Sequence, residues 1–267
     1  MQSKIQELIP NSQFLIPYCL HLADTTLIIS HRNSEWCGHG PVLEQDIALT
    51  NIALDLLGQA RNFYQFAATL INQSTNQPIN NVDEDSLAYL RNANEFKNHL
   101  ITEQPNGDWG VTLLRQFYFS CYQYFFYQEL QQSSDEHLAA IATKSLKEVT
   151  YHLRWSSEWV IRLGDGTEES KSRMQHAIET LKDFTDEFFV MTDYETALLQ
   201  EKISVDLNII KPKWMNKVKE VFDEATLEFI SSSNPESGGK NGNHSEHLKT
   251  LLAEMQILQR TYPNSVW

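Results

Sequence analysis

Four side chains have the types and spacing for metal-centred oxidative chemistry: Asp24, Asp55, Glu148 and His152. Asp55 interrupts the apolar run IALDLLGQA. Glu148 and His152 stand four residues apart, on one helix face that Trp155 and Trp159 continue. A dry bundle of helices can hold two metal ions when two helices each supply one Glu and the other two each supply Glu-x-x-His. This sequence falls short of that set. Gly58 stands three residues after Asp55 and Tyr151 three after Glu148. Between Leu113 and Gln128 the third long helix has no carboxylate, its polar positions being Arg115, Gln116, Ser120 and Gln123. Affinity for hard cations falls with each lost carboxylate, so the four residues read as vestiges of a centre. No residue is assigned a catalytic, cofactor-binding or metal-ligating role. The competing account of each buried acid is pairing with Arg61, Arg154 or Arg162.

Weaker signals lie elsewhere. SGGKNGN offers glycines, Lys240 and a following helix N-terminus, which together can hold an anion; without a preceding strand or Walker spacing, the bland reading is a flexible hinge. His244 and His247 share a helix face but lack a third ligand, and read as surface residues. LGDGTEES reads as a helix-to-helix turn. Cys19, Cys37 and Cys121 are odd in number and set among apolar or aromatic residues, as reduced core thiols are.

The elements that must position these residues are helices, because apolar residues recur at three and four and strand-like alternation is nearly absent. A first helix is expected from Pro17 to about His31, and a second from Val42 to about Ile71. A polar linker, NQSTNQPINNVDED, precedes a short helix from Ser86 to Phe96. The third long helix carries Phe117, Tyr118, Phe119, Tyr122 and Tyr124 to Tyr127, aromatic all round, and belongs at the centre of a bundle. A fourth runs from Glu136 to Leu163 with Gly164 as a left-handed stop, and Thr167 opens the next, through Val190. Lys213 to Leu227 and His244 to Arg260 complete the set, the last behind an Asn243/Glu246 capping box. The fold class is all-α, a four-helix bundle core with shorter helices around it, and residues 1–267 are expected to form one domain.

Composition limits what such a bundle does. In 267 residues, 21 Lys and Arg oppose 35 Asp and Glu, a formal charge of −14. That charge repels phosphate backbones and anionic headgroups, so nucleic acid and membrane surfaces are not expected partners. No apolar run approaches the roughly twenty residues of a membrane span, and MQSKIQELIPNSQ lacks a cleavable leader, so a cytoplasmic location is expected.

Four segments together, SEWCGHGPVLEQDIALTNIALDLLGQARNF, EQPNGDW, EVTYHLRWSSEWVIRLGDGTEES and GGKNGNHSEHLKTLLAEMQILQR, resemble the PaaC-subunit family of ring-1,2-phenylacetyl-CoA epoxidases, from about Leu20 to the C-terminus. The resemblance implies a ferritin-like bundle that is a structural, non-catalytic subunit of a multicomponent monooxygenase of phenylacetate breakdown, and so a member of a hetero-oligomer. It implies no cofactor in this chain. A related partner bundle, PaaA, would carry the di-iron centre and bind phenylacetyl-CoA, and a reductase component, PaaE, would bring electrons from NADPH through flavin and an iron–sulfur cluster. Two other readings stand beside it: a metal-dependent oxygenase using Asp24, Asp55, Glu148 and His152 as an incomplete site, and a CoA- or anion-binding accessory protein built on the Lys240 loop. Neither the surface that meets the partner nor the stoichiometry follows from the sequence.

Overall fold

The computed structural model describes residues 9–74, 82–263 and 265; part of the polar linker and the first eight residues lie outside them. Four long helices make the frame: α1 (Ile9–Ser34), α2 (Leu43–Ser74), and after the short α3 (Glu84–Tyr89) and α4 (Leu100–Glu103), α5 (Trp109–Leu130) and α6 (Glu136–Gly164). Around them stand α7 (Glu168–Leu181), α8 (Asp193–Gln200), α9 (Leu207–Glu224), α10 (Glu246–Met255) and α11 (Ile257–Thr261). The architecture is the all-α, ferritin-like bundle expected, with no strand among the described residues. Among the described residues no helix is long and apolar enough to cross a membrane.

The long helices pair as α1 with α2 and α5 with α6, and α2 also touches α6. The first pair is antiparallel: the Ser30 hydroxyl donates to the Ala53 carbonyl at 2.6 Å, while Asp24 meets Tyr64 further down. Asp108 opens α5 by accepting from the Val111 amide, and Asp135 opens α6 by accepting from His137 and Leu138. Nearly every residue of α5 from Gly110 to Gln123 is buried, so it is the central helix that its aromatic content demands. The Trp214 indole of α9 donates to the Tyr118 carbonyl at 3.0 Å and locks the outer layer onto it.

Several boundaries move from their sequence expectations, and at the two prolines burial of apolar side chains outweighs a local signal. Pro17 lies inside α1 instead of opening it, because Leu15 and its neighbours pack into the core upstream. Pro212 likewise sits inside α9, behind buried Leu207 and Ile210. Gly164 is helical, not left-handed; a Cβ there would collide with the Ala225 carbonyl, so glycine is needed for close packing. The helix expected through Val190 stops at Leu181 and continues as 3-10 turns, and the short helix ends at Tyr89. Ser245, not Asn243, caps α10, accepting from the His247 amide. Cys37 is exposed, while Cys19 and Cys121 are core thiols.

Candidate functional site

The helices bring part of the candidate centre together and then close it with hydrogen bonds. His152 of α6 is fully buried and places Nε2 3.0 Å from Asp55 Oδ2 on α2, whose carboxylate reaches the solvent edge. One turn away the Gln59 amide donates to Glu148 Oε2 at 2.9 Å, while its carbonyl accepts from the Gln123 amide and the Tyr127 hydroxyl, each at 3.2 Å. Three helices therefore meet through amides where a di-metal centre needs carboxylates and imidazoles. Gly58 is exposed and a Cβ there would meet open space; Tyr151 is exposed too, so neither missing ligand position faces the core.

Asp24 belongs to a different group. Its fully buried carboxylate accepts from the Tyr64 hydroxyl at 2.5 Å, the Lys97 amide at 2.8 Å and Arg91, whose guanidinium also lies over the Phe96 ring. Burial lowers the Arg91 pKa, yet the adjacent Asp24 carboxylate outweighs it and holds the pKa above the ordinary value. An aspartate so saturated has no lone pair left for a cation. The arginines expected to pair with the acids go elsewhere: Arg61 to Glu84, Arg154 over the Tyr151 ring and Arg162 over the Trp159 ring. Among the described residues no cluster of three or more His, Cys, Asp and Glu could hold a metal, and this donor set does not fit a di-iron centre.

The glycine-rich segment is also rebuilt by the fold. Instead of a flexible hinge over an anion, the segment turns Gly239 and Lys240 into the interior. Lys240 is 2% exposed, and its ammonium lies 2.9 and 3.1 Å from the two Glu195 oxygens. Burial would raise the Glu195 pKa, but Lys240 wins and lowers it. Glu187 accepts from the amides of Leu100, Gly238 and Gly239, while burial still raises its pKa. At Gly239 a side chain would strike the Asn98 carbonyl, which fixes glycine at that position. The cation that an anion would need is already neutralised from within the chain.

His244 is not a surface residue. Its Nδ1 lies 2.8 Å from Glu103 Oε2 and its Nε2 2.8 Å from the Phe96 carbonyl; both partners only accept, so the ring donates twice and carries charge. Burial opposes that charge, but Glu103 overcomes it and raises the pKa. His247 is exposed, so the two histidines do not converge. Deeper in the bundle, His21 donates from Nδ1 to the Lys97 carbonyl at 2.7 Å, and its ring meets His99 edge-on at 4.7 Å between centroids. Burial and the Lys240 charge push His21 down to about 4. Burial and the neighbouring His21 and Lys240 lower His99 well below its ordinary value, so both rings are neutral.

Sequence reading missed Gln59, Tyr64, Arg91, Glu187 and Glu195. Gln59 and Gln123 left a usable trace, since each is an amide in an otherwise apolar helix. Arg91 left none, because its partner is 67 residues away. A family model described as phenylacetic acid catabolic protein matches residues 2–267. The chain is also similar to a subunit of the 1,2-phenylacetyl-CoA epoxidase of Escherichia coli (strain K12), at 44% identity over 253 residues, which cover 95% of this chain and 99% of that protein. This bundle, with its hydrogen-bonded centre, therefore belongs to the phenylacetic acid catabolic protein family.

Proposed function

We propose that this chain is a non-catalytic, metal-free subunit of a cytoplasmic phenylacetyl-CoA epoxidase, one helical domain that pairs with a PaaA-type subunit and holds it in its active shape. The partner carries the di-iron centre and binds phenylacetyl-CoA, and a flavin and iron–sulfur reductase supplies electrons from NADPH. The observation that carries this reading is the Gln59 amide, which joins Glu148, Gln123 and Tyr127 where ligands would have to converge. The whole-length similarity to a protein named as an epoxidase subunit supports the rest. The Gln59 amide ties α2, α5 and α6 together at that point, a link suited to a body that orders a neighbour over a broad contact.

Two measurements test this. Elemental analysis of the chain expressed with excess iron should give near zero iron per chain; about two per chain, the occupancy of a di-iron bundle, overturns the metal-free reading. Co-expression with the PaaA-type subunit should yield a stable complex whose epoxidation survives Glu148→Ala in this chain. Abolished turnover with assembly intact would instead make this chain an oxygenase.

A further inference from the structure

We infer that the outward face of α2, together with α11 across the groove beside it, is where this chain docks a basic-rimmed apolar helix face of another epoxidase subunit. The observation is a stripe of large aliphatic side chains facing away from the core: Leu43, Ile47, Leu54 and Leu57 are each 43–70% exposed. At about 100° per residue these four fall within an arc of roughly 80° and extend about 21 Å along the helix. The opposite side of α2 already supplies the core through Leu49, Ile52, Leu56 and Phe63, so the helix has two apolar faces and one of them is bare.

The stripe is not isolated. Leu54 and Leu57 line a groove of about 350 Å³ whose far wall is Met255 and Leu258, and Ile257 and Tyr262 are exposed beyond it. Two helix widths by 21 Å is roughly 400 Å² in projection. That lies within the range of the largest apolar patch on a monomer and is about half of what one partner gives to a stable interface. The other half must come from the rim. Gly58, helical and facing open space beside Leu54 and Leu57, lets a second backbone come close.

Charge selects the occupant. Glu44, Asp46 and Glu254 bring three negative charges to this side of the chain; Arg61 is offset by its ion pair with Glu84, and the remaining cation among the described residues there, Arg260, which donates to the carbonyls of Leu90 and Arg91, leaves the rim net negative. The chain as a whole carries −14. A second copy would set acid against acid around the same patch, which a subunit with a basic rim avoids. Docking on this face rests on the subunit reading above.

The test uses the full chain with Leu54→Lys and Leu57→Lys, both at exposed positions that leave the core untouched. The reference variant is Ile209→Lys, an exposed apolar residue on α9. Each is titrated against the purified metal-bearing subunit, and circular dichroism melting checks the fold. The expected result is a Kd raised at least tenfold by either α2 variant and unchanged by Ile209→Lys. Glu254→Lys should weaken association further at low salt than at high salt. Unchanged affinity in the α2 variants overturns the docking face, and so does a homodimer of the isolated chain that Leu54→Lys dissolves while affinity for the other subunit stays the same. If the unaltered chain does not bind that subunit at all, the subunit reading fails first and the face with it.

Discussion

Replacing Lys240 by Met tests whether the glycine-rich segment is a buried pillar or a hinge. The ammonium makes two contacts with Glu195, at 2.9 and 3.1 Å, and both side chains are almost wholly excluded from water. Removing the lysine strands a buried carboxylate that retains only the Thr192 amide and hydroxyl, at 2.8 and 2.9 Å. Breaking such a pair from one side costs about 3–5 kcal/mol, a large share of the stability of an ordinary domain. The loss must also depend on pH in a fixed direction. With Lys240 present the Glu195 pKa is lowered; without it, burial dominates and raises the pKa. A carboxylate whose folded pKa is raised is penalised at high pH and relieved as it takes up a proton, so the deficit of Lys240→Met shrinks from pH 8 towards pH 5. Adding Glu195→Leu should recover all but about 1–2 kcal/mol, the residue of leaving the Thr192 donors unpaired. Urea unfolding followed by circular dichroism at both pH values measures each quantity. A loss under about 1 kcal/mol, or one independent of pH, would refute the reasoning and restore the hinge, because an exposed pair contributes no more than that.

Four further substitutions probe other parts of the bundle. His21, held down to about 4, stays neutral when folded but binds a proton near 6.5 when unfolded, so stability is full above 6.5 and falls by about 3 kcal/mol as pH drops through 4. His21→Asn should flatten that slope in acid unfolding curves. His244 has the opposite sign: its raised pKa gives stability that is complete below about 6.5 and fades as pH rises through the folded value, and His244→Gln should remove that alkaline loss. Gly58→Ala should stabilise the isolated chain by about 0.5–1 kcal/mol, since the helix gains propensity and the Cβ meets nothing. Gly164→Ala should destabilise it by about 2 kcal/mol or more through its clash with Ala225, and thermal melts of the two variants should move in opposite directions.

What the sequence revealed of this protein follows the range of the forces involved. The helices were legible because periodicity is local: α2, α5 and α6 lie close to where three- and four-residue recurrence puts them. The spacings of Gly58 from Asp55 and of Tyr151 from Glu148 were legible for the same reason, since they are fixed along the chain whatever the fold does. The start signal at Pro17 misled because it is a local preference of roughly 1–3 kcal/mol, and the burial of neighbouring apolar side chains exceeds it; at Gly164 the close approach of the Ala225 carbonyl, not a left-handed turn, requires the glycine. The glycine-rich segment failed differently. SGGKNGN has the composition of a loop, and only the arrival of Glu195 from 45 residues away and of Glu187 from 51 and 52 makes Gly238, Gly239 and Lys240 part of the interior. Asp24 shows the same limit from the other side: its chemistry was read from the helix it sits on, but Arg91, which decides whether it can bind anything, approaches from a separate short element. Local spacing can therefore say which ligands a bundle lacks; whether the remaining acids are free to bind is settled by long-range partners. In this chain Asp24, Asp55 and Glu148 each already have one.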